Sequence, residues 1–175
     1  MRVIGFCGKA YVGKTTAAKV IYGDVMGSEI IPMAERLKEI AKLLGWDGKK
    51  DERGRRLLQL LGTECARGYD PDFWIKEWEK KVTHAKKNWV DESTLDLILV
   101  DDVRFDNEAQ KILNMGGCII LIRREGFNGV NDHVSEHGIS SHLVSQVLIN
   151  EGDLETYEKT VKKFYSDLQF GVGLK

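Results

Sequence analysis

Eight residues near the start of the chain, Gly8-Lys9-Ala10-Tyr11-Val12-Gly13-Lys14-Thr15, constrain its fold more tightly than any other stretch. The apolar run before them, Val3-Ile4-Gly5-Phe6-Cys7, reads as a buried strand. Lys14 to about Tyr22 reads as a helix, with Ala17, Ala18 and Ile21 toward the sheet. Gly8 and Gly13 permit backbone angles that a side chain forbids. The strand can then pass into the helix through a loop whose N–H groups turn inward, and the helix adds its positive end to that ring. The spacing satisfies G-x-x-x-x-G-K-[ST] at every fixed position. The chemistry implied is a phosphate cradle in which Gly8, Lys9, Ala10, Tyr11, Val12, Gly13, Lys14, Thr15 and Thr16 hold ATP. Lys14 would neutralise the β- and γ-phosphates, and Thr15 would offer its hydroxyl to Mg²⁺.

The rest of the chain alternates strands with helices. Glu29-Ile30-Ile31 is a candidate second strand, and Leu37, Ile40, Ala41 and Leu44 fall at helical spacing between Ala34 and Leu44. Gly48 to Gly54 is a polar break, and Arg56 to Ala66 reads as the next helix. Asp72 is placed to cap a helix carrying Trp74 and Trp78 to about Lys87. Leu95 to Asp102 is an apolar strand ending in two aspartates. Asn107 to Asn114 is a helix, Cys118 to Ile122 a strand, Gln146 to Ile149 a last strand and Asp153 to about Leu168 a last helix. Apolar strands alternating with helices predict an α/β fold of one domain, residues 1–175, with a five-stranded parallel sheet and helices on both faces. Two stretches depart from the alternation, 34–93 and 125–142. Such insertions are expected at the carboxyl edge of the sheet, where ligands bind.

Composition removes several classes of function. The chain has 175 residues, 42% hydrophobic and 30% charged, which is ordinary for a globular domain. Lys+Arg is 26 against Asp+Glu of 27, so bulk charge does not drive nucleic-acid binding. Cys7, Cys65 and Cys118 are scattered, with no C-x-x-C pair, and read as reduced, buried small hydrophobes. The first residues are too short an apolar run for a signal peptide, and no stretch approaches a membrane span. A cytoplasmic location with no membrane partner is the expectation. Monomer and homodimer both stay open.

A phosphate cradle does not fix the reaction. The guanine-reading N-K-x-D, the switch D-x-x-G and the transporter L-S-G-G-Q are missing from this sequence. A water-activating Glu beside the strand-end aspartate, usual in ring-forming motors, is missing too. Arginine is the positive sign. Transfer of a phosphoryl group to a phosphorylated acceptor brings two anions together, and their repulsion must be offset by fixed cations. Arg104 lies just past Asp102, Arg123 and Arg124 end the next strand, and Arg67 ends a helix of the first insertion. Their planar forks suit phosphate. Asp101 and Asp102 have the placement of a carboxylate reaching the Mg²⁺ shell, with Asp102 the preferred member.

Four further segments resemble the viral and bacterial deoxynucleoside monophosphate kinases. Met33-Ala34-Glu35-Arg36-Leu37-Lys38 is similar to that family's F-A-D-x-L-K. Leu57 to Arg67 with Asp72-Phe73-Trp74 is similar to L-L-Q-x-x-G-T-x-x-x-R…D-x-W. Asp102 to Glu108 is similar to D-x-R-F-x-N-E, and His133-Val134-Ser135-Glu136 to H-x-S-E. The resemblance implies a P-loop kinase fold and transfer of the γ-phosphoryl of ATP to a deoxynucleoside monophosphate. It also implies that 34–93 binds the monophosphate and that 125–142 is a lid. Glu35, Lys38, Gln59 and Arg67 would line the acceptor site, Arg104 would hold the acceptor phosphate, and Arg123 or Arg124 would reach the transferring phosphoryl. The catalytic set is then Lys14, Asp102, Arg104, Arg123 and Arg124, with Thr15 and Asp102 toward the metal. Thr15 and Glu35 depart from the family, which more often has Asp at both places.

The remaining signals have plainer readings. His133, His137 and His142 read as polar lid residues, and Trp74, Trp78 and Trp89 as packing residues. The lysines at 80, 81, 86 and 87 read as a solvated helix face. Two rivals accompany the kinase reading. One is a kinase of another small phosphorylated acceptor. The other is a P-loop ATPase acting as a switch or motor, which predicts acceptor-independent hydrolysis.

Overall fold

The structure is a computed structural model and describes residues 1–88, 95–126 and 138–169. Five parallel strands form one sheet: β1 (Arg2–Cys7), β2 (Ser28–Ile30), β3 (Leu97–Val100), β4 (Cys118–Arg123) and β5 (Gln146–Ile149). Their order is β2-β3-β1-β4-β5. Helices α1 (Lys14–Asp24), α2 (Glu35–Leu43), α3 (Glu52–Gln59), α4 (Phe73–Asn88), α5 (Asp106–Asn114) and α6 (Leu154–Gln169) connect and cover it. Parallel neighbours need crossover connections: α1 lies between β1 and β2, α2, α3 and α4 between β2 and β3, and α5 between β3 and β4. From β1 the chain crosses to β2 at the edge of the sheet, returns to β3 beside β1, and then resumes on the other side of β1 with β4. The carboxyl end of β1 is therefore the switch point of the fold, where a crevice opens.

Alternation along the strands divides the core in two. Val3 and Cys7 join Ile98, Val100, Ile112, Ile119 and Trp78 on the face covered by α4 and α5. Ile4 and Phe6 join Leu97, Leu99, Ala17, Ile21, Ile120 and Val161 on the face covered by α1 and α6. Period-two placement on a sheet buried on both sides needs apolar residues on both faces, which the central strands β1, β3 and β4 supply, while the edge strands β2 and β5 carry polar or exposed positions. Trp78 is fully buried and its indole N–H donates to the Ile31 carbonyl at 2.9 Å. Trp74 is also buried, donating to Gly62 O at 2.8 Å. Trp89, His133 and His137 lie outside the described residues, as do residues 127–137 of the expected lid.

The first insertion differs from its sequence reading. The helix expected over Arg56–Ala66 starts earlier, at Glu52, because the Asp51 carboxylate caps it by accepting from Gly54 N at 2.8 Å. It then widens into a π-helix over Leu60–Arg67, where the Gly62 carbonyl is drawn to the Trp74 indole. Asp72 does precede α4, and its carboxylate accepts from the Asn107 amide at 2.8 Å. That bond ties the start of α4 to the start of α5. Among the described residues no helix is long and apolar enough to cross a membrane.

Candidate active site

The cradle stands where β1 meets α1. Gly8 has φ of 128° and Gly13 has φ of 108°. A Cβ on Gly8 would lie 2.4 Å from the Ile122 carbonyl oxygen in β4, and one on Gly13 would lie 2.7 Å from Asn150 Nδ2. Neither glycine can be replaced without moving backbone or the groups behind the loop. Tyr11 also sits at positive φ, 65°, a conformation that costs an ordinary residue about 1 kcal/mol or more. Two groups brace the loop from behind. Buried Asn150 donates from Nδ2 to Val12 O at 2.8 Å, and the Tyr157 hydroxyl donates to Gly13 O at 3.2 Å. Burial pushes the Tyr157 hydroxyl pKa upward, so it remains a donor. Lys14 folds back over the loop, its Nζ bonded to the carbonyls of Gly8 and Lys9 at 2.7 and 2.6 Å.

The two strand-end aspartates diverge. Thr15 Oγ1 donates to Asp101 Oδ2 at 2.6 Å. Asp102 instead accepts from the backbone N–H of Met33 at 2.7 Å and of Ala34 at 3.1 Å, at the start of the first insertion. Burial and the neighbouring Asp101 raise the Asp102 pKa, while Lys38 and those two N–H groups oppose the rise. The sequence favours Asp102 as the metal-side carboxylate, whereas the carboxylate beside Thr15 is that of Asp101. Thr15 and Asp101 offer hard oxygen donors that suit Mg²⁺, whose other ligands in P-loop sites are phosphate and water oxygens.

A cavity of about 570 Å³ runs from this cradle to the insertion. Lys14, Thr15, Asp101 and Asp102 line one end, and Leu37, Lys38, Gln59, Arg67, Trp74 and Arg104 line the other. Arg67 is held on three sides: Nη2 pairs with buried Glu108, Nη1 donates to Pro71 O at 3.1 Å, and its guanidinium carbon lies 3.9 Å from the Phe105 ring centre.

The profile of the family described as deoxynucleotide monophosphate kinase matches residues 13–161. The chain belongs to the deoxynucleotide monophosphate kinase family. A protein of Acanthamoeba polyphaga mimivirus named as a putative deoxynucleotide monophosphate kinase is 29% identical over 96% of this chain and 94% of its own length. The deoxynucleotide monophosphate kinase of Escherichia phage RB69 is 29% identical over 62% of this chain and 43% of its own. The fold is shared with TT1252 from Thermus thermophilus, at a TM-score of 0.55 and 16% identity over 95% of this chain and 97% of that one.

In this deoxynucleotide monophosphate kinase family member the cavity gathers Lys38, Gln59, Arg67 and Arg104 together with Lys14, Thr15 and Thr16. Glu35 is not among the lining residues. Its carboxylate pairs with Lys81 at 3.0 Å, because the first turn of α2 faces α4. Arg123 and Arg124 are exposed at the end of β4, beside the cradle rather than in the cavity wall.

Several functional candidates were not read from the sequence. Arg55 of α3 lines the cavity, hydrogen-bonds the Tyr11 hydroxyl at the cradle's rim and donates from Nε to Lys50 O at 2.7 Å. It sits in a stretch that looks like any charged helix start, so no local signal marks it. Asn150 and Tyr157 act from 138 and 144 residues away, and only the tertiary fold brings them to the loop.

Proposed function

We propose that the protein transfers the γ-phosphoryl group of ATP to a deoxynucleoside monophosphate, giving ADP and a deoxynucleoside diphosphate. The observation that carries this is the continuity of one cavity from the phosphate cradle to the insertion. The cradle end offers backbone N–H groups and Lys14, and the insertion end offers Lys38, Arg67 and Arg104. An anion at each end would lie with its phosphate toward the other, which is the in-line arrangement phosphoryl transfer needs.

Catalysis in this reading is positional and electrostatic. Lys14 exchanges its two loop carbonyls for phosphate oxygens. Arg104, emerging directly after the turn at Asp102, holds the acceptor phosphate. Arg55 leaves Tyr11 to add positive charge near the transferring group, and Arg123 or Arg124 approaches it from the lid side. Thr15 and Asp101 would hold Mg²⁺, which would supply positive charge against that of the phosphates. Gln59 and Lys38 contact the acceptor, and Trp74 with Leu37 supplies an apolar wall. Asp102 pins the start of the insertion to the end of β3, so the two halves of the site keep their spacing.

An ADP-release assay run with each common deoxynucleoside and ribonucleoside monophosphate tests this. Turnover is expected with at least one deoxynucleoside monophosphate, and slow hydrolysis without an acceptor because the closed site excludes water. Hydrolysis equally fast without acceptor, or turnover restricted to another class of phosphorylated compound, would overturn the proposal.

A further inference from the structure

Glu108 is the least exposed carboxylate near the cavity, with 3% of its surface accessible. It is the third residue of α5, where an acidic side chain ordinarily does no more than return to the helix's first N–H groups. Here it does that and more. Oε2 accepts from the backbone N–H of Arg104 at 2.7 Å and of Phe105 at 3.2 Å, while Oε1 takes Nη2 of Arg67. One carboxylate thus fixes both the turn that carries Arg104 and the guanidinium of Arg67, which comes from the other side of the cavity, 41 residues earlier. Phe105, whose N–H Glu108 also holds, lays its ring against that guanidinium.

A negative charge next to an anion-binding cavity subtracts from the field that attracts the acceptor. Charge alone therefore gives Glu108 no useful part in binding a phosphate. Its contribution is geometric: a guanidinium anchored by two of its five N–H donors, on Glu108 and Pro71, and stacked on a ring presents the others in one orientation. We propose that Glu108 is a positioning residue for the acceptor half of the reaction. It aligns Arg67 and Arg104 as a pair on the acceptor monophosphate, and does not contribute to holding ATP. This rests on the kinase reading above.

The test is a set of steady-state measurements on the full chain with ATP and the best deoxynucleoside monophosphate as separately varied substrates. Glu108→Ala should lower kcat/KM for the monophosphate by about 100-fold, the scale of a positioning error near 1 Å, with KM for ATP changed less than about 2-fold. Glu108→Gln keeps an acceptor oxygen and should recover a large part of the loss, which a purely charge-based role would not permit. The double variant Arg67→Ala/Glu108→Ala should lose clearly less than the product of the two single losses, because part of what Glu108 does is done through Arg67, the remainder being its hold on the Arg104 turn. If Glu108→Ala does not fold, the same cycle is run with Glu108→Gln, whose loss should shrink in the Arg67→Ala background. Equal losses for both substrates, or losses that multiply in the double variant, would overturn the proposal. Wild-type protein without turnover on any monophosphate would instead sink the kinase reading beneath it.

Discussion

Replacing Asp101 and Asp102 one at a time by asparagine separates the two jobs of the strand-end carboxylates. Asp102 accepts two backbone N–H groups, at 2.7 and 3.1 Å. Asparagine keeps one acceptor oxygen and turns an NH₂ toward the other N–H, so one charge-assisted bond worth about 1.5–3 kcal/mol is lost. A second effect opposes this. The folded state raises the Asp102 pKa above its unfolded value, so keeping the group ionised costs stability once pH passes the unfolded value. A neutral side chain removes that cost. The net loss is then smaller than that bond alone, below about 3 kcal/mol, and shows as a lowered Tm. Asp101 holds one side-chain hydroxyl, Thr15 Oγ1 at 2.6 Å, so Asp101→Asn should leave Tm within about 1–2 °C of wild type. Its effect should fall on Mg²⁺-dependent turnover, lowering kcat/KM for MgATP by about 100-fold or more and raising the Mg²⁺ concentration needed for half-maximal rate. Thermal melts and a Mg²⁺ titration of the ADP-release rate read both quantities. Near-complete loss of turnover in Asp102→Asn with a mild Asp101→Asn would refute the assignment and restore Asp102 to the metal.

Lys14→Ala should abolish ATP-dependent turnover while the far-ultraviolet spectrum stays native; measurable kcat near wild type would remove the cradle from the mechanism. Arg104→Ala should cut kcat/KM for the monophosphate by about 100-fold or more with ATP binding retained, and unchanged acceptor kinetics would contradict its role. Arg55→Ala should lower kcat by about 10- to 100-fold with only a small drop in Tm, since the half-buried side chain holds the Tyr11 hydroxyl and the Lys50 carbonyl; full activity would leave Arg55 as a structural contact of Tyr11. The Ser140 hydroxyl and N–H hold the Asp106 carboxyl below the usual range. That stabilisation is present above the unfolded pKa and disappears as pH falls through the folded value. Asp106→Asn should flatten the acid limb of Tm against pH, and an acid limb identical to wild type would count against the contact.

The parts of this molecule that were legible from sequence are those set by local rules. Gly8 and Gly13 fix a strand-loop-helix at the chain's start, and the apolar runs of β1, β3 and β4 mark strands buried on both faces. Asp51 as the cap of α3 was legible in principle, but the charged stretch from Gly48 to Gly54 masked it. The π-helix over Leu60–Arg67 was not, because no local pattern of residues sets it apart from an α-helix. Glu35 and Lys81 meet only once α2 lies on α4.

The choice between Asp101 and Asp102 shows where such a reading stops. Side chains alternate along β3, so Leu97 and Leu99 face α1 while Ile98 and Val100 face α4 and α5. Continuing that alternation past the strand end sends Asp101 toward α1, where Thr15 waits, and Asp102 toward the start of the insertion. The rule is elementary, yet it cannot be applied to the sequence alone. A strand apolar on both faces carries no mark of which face belongs to which helix. One further fact, that α1 packs over Ile4, Phe6, Leu97 and Leu99, is enough to orient the whole alternation and with it both carboxylates. The same parity argument forbids a simple exchange of their roles: shifting Asp102 onto Thr15 would need a one-residue slip of β3, which would turn Leu97 and Leu99 out of their cluster and expose the Met33 and Ala34 N–H groups.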